Sequence, residues 1–556
     1  MSIEVPIGDP GPLLALVEDR ADEPGLAAAV IRDGDVVARR CVGLASLPSR
    51  IPIGPDTRFH IVSVSKTFMA AAILMLAARG ALRLDDDVRR HLPELPAEIS
   101  RNGPVTIRHL LSMTSGLRDV LELERLRGVW RSSPSDRDAL LGLAGRQTAV
   151  SAPPGVQYMY ANVNALLLDE VIARVGGTPA ESFRRGALYE PLGLTRTGAR
   201  PHDGIAWPDL ALPYVADGAG GWSRARDLLG IAADPLTTTL DDVTRWLLAL
   251  RSGSIGGVEV TARMAERTRV RDGTPLHYGL GLAVRRYRGL TVLCHTGSQP
   301  GYKAHIAYVP ERDLGVVILS NREDTRPAAL AAAIMDEAIG ERFPRPHPGR
   351  DADPRLAKNG PTATQLAAVP GVYVDSETDE WVTLRFEGGV LVGDTLGDPF
   401  FLYPEGDGVF RDGEDYQATV PVELRMEFGP SDRDVTGRVN LGGQRITLRK
   451  SSPPAYVPAA LGGFEGRYES AEIASRHSIR VESGRLWIAY GPGWSHGRVF
   501  PMEPIAPDVF LVRPAAPGIA YRHVFHFRRD QAGVVASATV TMERLKGVSL
   551  RRYQPA

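Results

Sequence analysis

One segment, residues 63–80, reads SVSKTFMAAAILMLAARG. Its residues are apolar nearly all round, which predicts a buried helix that stops near Gly80. Lys66 lies at the start of this helix, and burial of an ammonium is costly unless the group is paired or gives up its proton. Ser63 lies three residues earlier, so the two side chains share a helix face. The segment therefore predicts a neutral Lys66 that takes the proton of Ser63 and makes it a nucleophile.

Two further stretches carry polar side chains that suit acyl transfer. In PGVQYMYAN, an extended backbone places Tyr160 and Asn162 on one side, where a phenol can relay a proton and a carboxamide can hold an amide. A helix is predicted to follow over 165–175. In CHTGS, at the end of an apolar strand, His295 and Gly297 share a face. Each stretch also has a structural explanation: the first is typical of a turn, and the second of a buried, hydrogen-bonded histidine.

The composition excludes several classes of function. The chain has 556 residues, with 66 acidic and 65 basic side chains and a net charge of −1, which argues against a broad surface for nucleic acid or anionic membrane. Two cysteines and twelve scattered histidines give no metal-ligand spacing, so we expect no metal and no cofactor. The first residues do not form a signal peptide, and the longest apolar run, Phe68–Ala78, is too short for a membrane span of about 20 residues. We therefore expect a cytoplasmic protein.

The chain divides into a long mixed part and two shorter all-β parts. Residues 1–345 mix helices and strands, among them an early hairpin that turns at Gly34 and a closing helix over 327–339. The landmarks Gly371-Val-Tyr and Gly466-Arg-Tyr recur at an offset of 95 residues, which predicts a duplicated β unit, although short strands also resemble each other by chance. The predicted units are a catalytic domain at 1–345, a linker at 346–362, and β-barrels at 363–452 and 460–556.

The SxxK, YxN and HTG motifs together resemble, in order and separation, the penicillin-recognising serine hydrolases, which include class C β-lactamases and D-alanyl-D-alanine carboxypeptidases. The likeness spans roughly residues 10–340. It implies an α+β fold with a β-lactamase/transpeptidase-like domain, in which helices flank an antiparallel sheet and form a lobe beside it. The resemblance implies catalytic roles for Ser63, Lys66, Tyr160 and His295, and substrate-binding roles for Asn162, Gly297 and Ser298.

The remaining third is similar to that of bacterial serine D-aminopeptidases, in which two small antiparallel, lipocalin-like β-barrels follow the catalytic domain. In those enzymes a loop of the last barrel enters the cleft and offers an acidic residue to the substrate ammonium. The matching loop, residues 491–500, has no acidic residue, and Arg498 takes that place. A guanidinium attracts a carboxylate, so Arg498 is a predicted ligand for a carboxylate-bearing substrate. Ser495 in the same loop fits a GxSxG pattern, but that nucleophile needs a helix after it, which an all-β segment lacks.

These features predict a serine hydrolase with a Ser-Lys-Tyr site, which cleaves amide bonds of D-amino-acid-containing peptides or amides through an acyl-enzyme. Two alternatives stay open. The first is a peptide thioesterase, macrocyclase or esterase of the same family, and the second is a non-catalytic binding protein on the same fold. The expected partner is a small peptide or amide substrate, without nucleic acid or membrane, and a homodimer is left open.

Overall fold

The structure is a computed structural model that describes most of the chain. The described residues are 12–18, 20–129, 137–200, 207–225, 236–344, 362–375, 380–387, 390–395, 399–406, 408–412, 420–428, 435–451, 454–491, 499–516 and 519–553. The predicted linker at 346–362 lies outside them except for its last residue. Arg498 and Ser495 lie outside them as well.

A six-stranded antiparallel sheet forms the middle of the N-terminal part. Its strands are β1 (Leu26–Arg32), β2 (Asp35–Val42), β3 (Ala283–Tyr287), β4 (Leu290–Gln299), β5 (Tyr302–Val309) and β6 (Leu314–Ser320), in the order β3-β4-β5-β6-β1-β2. The predicted early hairpin is β1–β2, where Asp33 and Gly34 adopt φ values of 52° and 87° and make a tight turn. Because β1 pairs with β6, the early hairpin and the later strands β3 to β6 share one sheet.

Helices cover both faces of this sheet and build a lobe beside it. They are α1 (Ser65–Ala78), α2 (Ile107–Leu111), α3 (Val120–Leu126), α4 (Arg137–Ala144), α5 (Asn162–Gly176), α6 (Ala180–Arg184), α7 (Leu240–Ser252), α8 (Val258–Met264) and α9 (Pro327–Ile339). Alternate residues of β1 point to opposite faces, so Ala27 and Ala29 join the core that contains α1 and α7. Ala28 and Val30 join the core beneath α9. The closing helix predicted over 327–339 is confirmed.

Short paired strands lie in the connections of the N-terminal part. They are Leu44–Ser46 with Ile51–Pro52, Phe59–His60 and Gly198–Ala199 with Leu236–Thr238, and Tyr214–Ala216 with Trp222–Arg224.

Helix α1 is buried from its first residue to Leu76, as its apolar sequence predicts. The Phe68 ring stacks on the Trp246 ring of α7 with centroids 3.8 Å apart. The Trp246 indole N–H donates to the Thr67 hydroxyl at 3.1 Å. These contacts fix the first turn of α1, which carries Lys66.

Two closed eight-stranded barrels follow, which confirms the predicted architecture. A short helix, α10 (Ala363–Ala368), precedes the first barrel, and α11 (Pro458–Leu461) precedes the second. The first barrel consists of β7 (Gly371–Asp375), β8 (Glu380–Glu387), β9 (Val390–Asp394), β10 (Phe400–Gly406), β11 (Val409–Arg411), β12 (Val422–Phe428), β13 (Val435–Leu441) and β14 (Gln444–Ser451). The second consists of β15 (Gly466–Ser470), β16 (Ser475–Glu482), β17 (Arg485–Tyr490), β18 (Val499–Ala506), β19 (Val509–Val512), β20 (His523–Arg529), β21 (Val535–Met542) and β22 (Leu545–Tyr553).

The two barrels repeat a buried contact at the offset seen in the sequence. In the first barrel the Tyr373 hydroxyl donates to the carbonyl of Val369 at 2.7 Å. In the second barrel the Tyr468 hydroxyl donates to the carbonyl of Phe464 at 2.8 Å. Donor and acceptor both differ by 95 positions, which agrees with a duplicated unit. The exact domain limits stay a prediction.

Candidate active site

Ser63 lies on a strained turn directly before α1. It is the middle residue of the 3-10 helix Val62–Val64. Val62 has φ of 49°, in the left-handed region that a β-branched residue rarely adopts. Such strain persists only where the surrounding structure enforces it, and it is concentrated at functional sites.

Lys66 lies beneath Ser63 and is almost completely buried, with 2% of its surface exposed. Its Nζ is 3.0 Å from the Ser63 hydroxyl oxygen and 3.2 Å from Oδ1 of Asn162. The same Nζ lies 5.1 Å from the centre of the Tyr160 ring. The structure thus brings together four residues that the sequence predicts for the site, and Lys66 is the residue that contacts the other three.

Tyr160 and Asn162 lie on either side of the start of α5. The extended backbone ends at Ala161, and Asn162 is the first residue of α5, three positions before the predicted start at 165. The Tyr160 hydroxyl is buried and has no hydrogen-bond partner in the described part of the chain. A buried hydroxyl without a partner is costly in a closed protein interior, which favours a role toward a bound substrate.

Asp119 holds Asn162 in place, and sequence reasoning missed it. Asp119 is fully buried, and its carboxylate accepts a short hydrogen bond from the backbone N–H of Asn162. The carboxylate also caps α3 by accepting the backbone N–H groups of Leu121 at 3.0 Å and Glu122 at 3.3 Å. The signal in the sequence was an aspartate directly before an amphipathic segment, which is typical of an N-cap.

His295 on β4 has hydrogen-bond partners other than Tyr160. A carbonyl oxygen only accepts, so Nδ1 donates to the carbonyl of Thr296 at 3.0 Å. Nε2 therefore accepts the Tyr278 hydroxyl at 3.0 Å. Burial, together with the nearby Lys66 side chain, lowers the pKa of His295 to about 3. His295 is thus a neutral imidazole at ordinary pH, and Tyr278 is a partner that sequence reasoning did not assign to it.

Gly297 and Ser298 follow on the same strand. A methyl group built on Gly297 would lie 2.2 Å from the carbonyl oxygen of Ile61 and 3.1 Å from the backbone N of Ser63. Gly297 therefore allows β4 to lie close against the turn that carries Ser63. The Ser298 hydroxyl accepts Lys303 Nζ at 2.8 Å, and Lys303 is also ion-paired with Glu323 at 2.9 Å.

A cavity of about 350 Å³ opens at Ser63, Tyr160 and His295. Its walls come from three parts of the chain: the N-terminal part with the six-stranded sheet, which we call the catalytic part, the first barrel and the second barrel. Its charged lining residues are Arg285, Glu380, Glu543, Arg544 and Lys546. Glu380 of β8 and Lys546 of β22 form an ion pair at 2.5 Å across the two barrels.

The second barrel reaches this cavity through the turn between β21 and β22. This turn consists of Glu543 and Arg544, and we call it the second-barrel turn. The Arg544 guanidinium carbon lies 4.9 Å from the centre of the Tyr160 ring. The backbone carbonyl of Arg544 accepts the backbone N–H of Asp119 at 3.0 Å. The sequence predicts that loop 491–500 enters the cleft, but residues 492–498 are not among those described.

Comparison with known proteins identifies the family. Residues 13–339 match the family described as Beta-lactamase, which is more than half of the chain. The chain belongs to the beta-lactamase family. A D-aminopeptidase from Cereibacter sphaeroides is 28% identical over 495 residues, which cover 88% of each chain. A D-aminopeptidase from Brucella melitensis is 23% identical over 551 residues, which cover 95% of this chain and 96% of that one.

Solved structures agree with this beta-lactamase assignment. The octameric penicillin-binding protein homologue from Pyrococcus abyssi has a TM-score of 0.53 and 22% identity, and the match covers 86% of this chain and 95% of that chain. A penicillin binding protein from Bacillus halodurans has a TM-score of 0.50 and 25% identity over 56% of this chain and 95% of that chain. The first likeness shows the fold alone, and it extends beyond the part that matches the beta-lactamase family.

Two further properties concern the part of this beta-lactamase family member that the structure describes. Among these residues, no group of three or more histidine, cysteine or acidic side chains could hold a metal ion. In the same part of the chain, every helix is too short or too polar to cross a membrane.

Proposed function

We propose that this protein is a D-aminopeptidase-like serine hydrolase, which cleaves amide bonds of D-amino-acid-containing peptides or amides through a covalent acyl-enzyme. The observation that carries this proposal is the buried contact of 3.0 Å between Lys66 Nζ and the Ser63 hydroxyl. The D-aminopeptidase relatives, which match most of the length of the chain, support the substrate class. Membership of the beta-lactamase family supports the reaction type.

In the first half of the reaction, Ser63 Oγ attacks the substrate carbonyl carbon while Lys66 takes the hydroxyl proton. The negative oxygen that forms is stabilised by the backbone N–H groups of Ser63 and Ser298, and the tight packing of Gly297 against the Ser63 turn supports this placement. The proton then passes from Lys66 through Tyr160 to the leaving amine, and the C–N bond breaks. The products of this half are a free amine and the Ser63 ester.

In the second half, water attacks the Ser63 ester, and Tyr160 with Lys66 takes a proton from that water. The ester C–O bond breaks, the proton returns to Ser63, and the carboxylic acid leaves. Asn162 fixes Lys66 through Oδ1 and orients the substrate amide. Neutral His295 holds Tyr278 at the cavity wall through the hydrogen bond to its hydroxyl.

A second candidate is acyl transfer on a peptidyl ester or thioester that carries a carboxylate. It is favoured by the charges of the cavity, where Arg285, Arg544 and Lys546 outnumber Glu380 and Glu543. An excess of cations attracts a substrate carboxylate and disfavours a free ammonium.

A substrate panel with two serine variants tests both candidates. The panel contains D-alanine p-nitroanilide, its L-enantiomer and a peptidyl thioester, and a fluorophosphonate probe reports the reactive serine. We expect selective release of nitroaniline from the D-anilide, loss of turnover and labelling in Ser63→Ala, and retention of both in the matched control Ser495→Ala. Turnover or labelling that survives in Ser63→Ala would refute the mechanism. Faster cleavage of the thioester than of the D-anilide would favour the second candidate.

The predicted cytoplasmic location and the homodimer remain proposals alongside this function. Size-exclusion chromatography with light scattering of the full chain measures the oligomeric state directly.

A further inference from the structure

Tyr160 has a cation near its ring on each of two structural units. Lys66 Nζ, on α1, lies 5.1 Å from the ring centre, and the Arg544 guanidinium carbon, on the second-barrel turn, lies 4.9 Å from it. A cation within about 6 Å of an aromatic ring centre is attracted by the ring face. The Tyr160 hydroxyl makes no hydrogen bond to any described residue. Among the described residues, Lys66 and Arg544 thus contact the Tyr160 ring through their cations. The Tyr160 hydroxyl itself stays available for proton transfer.

Arg544 is held firmly where the second barrel meets the catalytic part. Its backbone carbonyl accepts the N–H of Asp119, the residue whose carboxylate binds the N–H of Asn162. The neighbouring Arg118 side chain donates to the carbonyls of Lys546 at 3.2 Å and Gly547 at 3.1 Å. The backbone on which Arg544 lies is therefore bonded to the same segment that positions Asn162.

Arg544 supplies a fixed positive charge that the neighbouring histidine does not supply. His295 is neutral at ordinary pH, because burial lowers its pKa to about 3. Burial also lowers the pKa of Arg544, but the carboxylates of Glu543 and Asp119 outweigh this effect and raise it above its ordinary range. If Lys66 is neutral when it takes the Ser63 proton, Arg544 is then the permanent cation beside the phenol.

We propose that Arg544 is a positioning residue for Tyr160, so that the second barrel completes the catalytic centre. Its guanidinium fixes the orientation of the ring and stabilises the negative charge that develops on the phenol oxygen while Tyr160 passes a proton. This inference rests on the proposed function, because it assumes that Ser63 is the nucleophile and Tyr160 the relay. It implies that a chain lacking the second-barrel turn binds substrate but turns it over slowly.

The test compares Arg544→Gln, Arg544→Lys and the matched control Arg551→Gln in the full chain. Arg551 lies on β22 with an exposed side chain that is paired with Glu469 at 3.4 Å, outside the cavity. The measured quantities are kcat and KM for D-alanine p-nitroanilide, the rate of Ser63 labelling by a fluorophosphonate probe, and the melting temperature.

For Arg544→Gln we expect kcat and the labelling rate to fall by about 100-fold, with KM and the melting temperature little changed. Arg544→Lys should recover part of the rate, because it keeps the charge but not the planar group. Millimolar guanidinium should restore part of the rate of Arg544→Gln and should not change that of Arg551→Gln.

Three outcomes would overturn the inference. An unchanged kcat in Arg544→Gln would remove the role of the guanidinium. A loss that neither lysine nor guanidinium repairs, together with a lower melting temperature, would show that Arg544 is structural only. Absence of Ser63 labelling in the unsubstituted protein would refute the proposed function itself, and this result is distinct from the first two because it does not depend on any Arg544 variant.

Discussion

The two barrels approach the catalytic part with the same hairpin but with different residues at its tip. In the first barrel, the turn between β13 and β14 consists of Gly442 and Gly443, and we call it the first-barrel turn. In the second barrel, the turn between β21 and β22 consists of Glu543 and Arg544. Each hairpin joins the seventh and eighth strands of its barrel. One tip therefore has no side chains and the other has two charged ones.

The backbone of each turn accepts a hydrogen bond from the catalytic part. The carbonyl of Gly442 accepts the N–H of Tyr158 at 2.9 Å, and the carbonyl of Arg544 accepts the N–H of Asp119 at 3.0 Å. Tyr158 is two residues before Tyr160, so the first-barrel turn supports the strand-like segment that carries the phenol.

The first-barrel turn lies too close to the segment that carries Tyr160 to bear a side chain at Gly443. A methyl group on Gly443 would lie 2.7 Å from the carbonyl oxygen of Val156, and the φ of Gly443 is 97°. Only glycine fits such a position without displacing its neighbours. A duplicated barrel can therefore serve one site in two ways, by close backbone contact in one copy and by a charged side chain in the other.

The largest expected effect comes from giving the second-barrel turn the residues of the first-barrel turn. The double substitution Glu543→Gly and Arg544→Gly gives the second-barrel turn the sequence of the first. We expect kcat for D-alanine p-nitroanilide to fall by about 100-fold, because the cation beside Tyr160 is lost while the hairpin can still form. Steady-state kinetics and thermal melting measure the two effects separately. Full activity in this variant would mean that the two tips are interchangeable.

A smaller effect is expected when the first-barrel turn gains a side chain. Gly443→Ala should destabilise the fold by about 2–3 kcal/mol, because it combines unfavourable φ with a clash against Val156. Gly533→Ala is the matched control, since Gly533 has φ of 78° but open space around it, and we expect a cost of about 1 kcal/mol. Urea unfolding measures both free energies. Equal costs for the two variants would show that the close approach at Gly443 is unimportant.

The smallest expected effect concerns the response of the two barrels to acid. The second barrel contains buried His477 and His523, whose pKa values burial lowers to about 3, whereas residues 363–452 contain no histidine. Between pH 6.5 and 3 the unfolded chain binds protons that the folded chain rejects, so stability falls as the pH falls through this window. Each histidine contributes at most about 1.4 kcal/mol per pH unit.

Urea unfolding at pH 7 and pH 6, between which the two histidines together lower the stability by about 1.4 kcal/mol, tests this difference. The double variant His477→Gln and His523→Gln should lose less stability on acidification than the unsubstituted protein. Ser478→Ala, a change of a non-titrating side chain at a partly exposed position on β16, should keep the original pH dependence. An unchanged slope in the double variant would contradict the assignment of acid sensitivity to the second barrel.

Contacts between residues that are close along the chain could be predicted from the sequence, and contacts between distant segments were missed. Ser63 and Lys66 are three positions apart where the 3-10 turn Val62–Val64 leads into α1, so their contact could be predicted from helical spacing although Ser63 lies just before the α-helix. Tyr160 and Asn162 could be named from their motif, but the start of α5 was placed three residues late, because the N-cap Ala161 gives no capping signal. The partner of His295 was missed, since Tyr278 comes from a different segment that is brought near only by the packing of the sheet.

The sequence by itself determined the fold class, the two barrels and the Ser63–Lys66 pair, because these depend on local periodicity, turn residues and a repeated pattern. Only the tertiary structure decided that Asp119 anchors Asn162 and that Arg544 lies against the Tyr160 ring. Both contacts join segments far apart in the chain, and their geometry depends on how the last hairpin of a barrel docks on another domain. Such docking is determined by the shapes of two packed surfaces, and no short stretch of sequence specifies it.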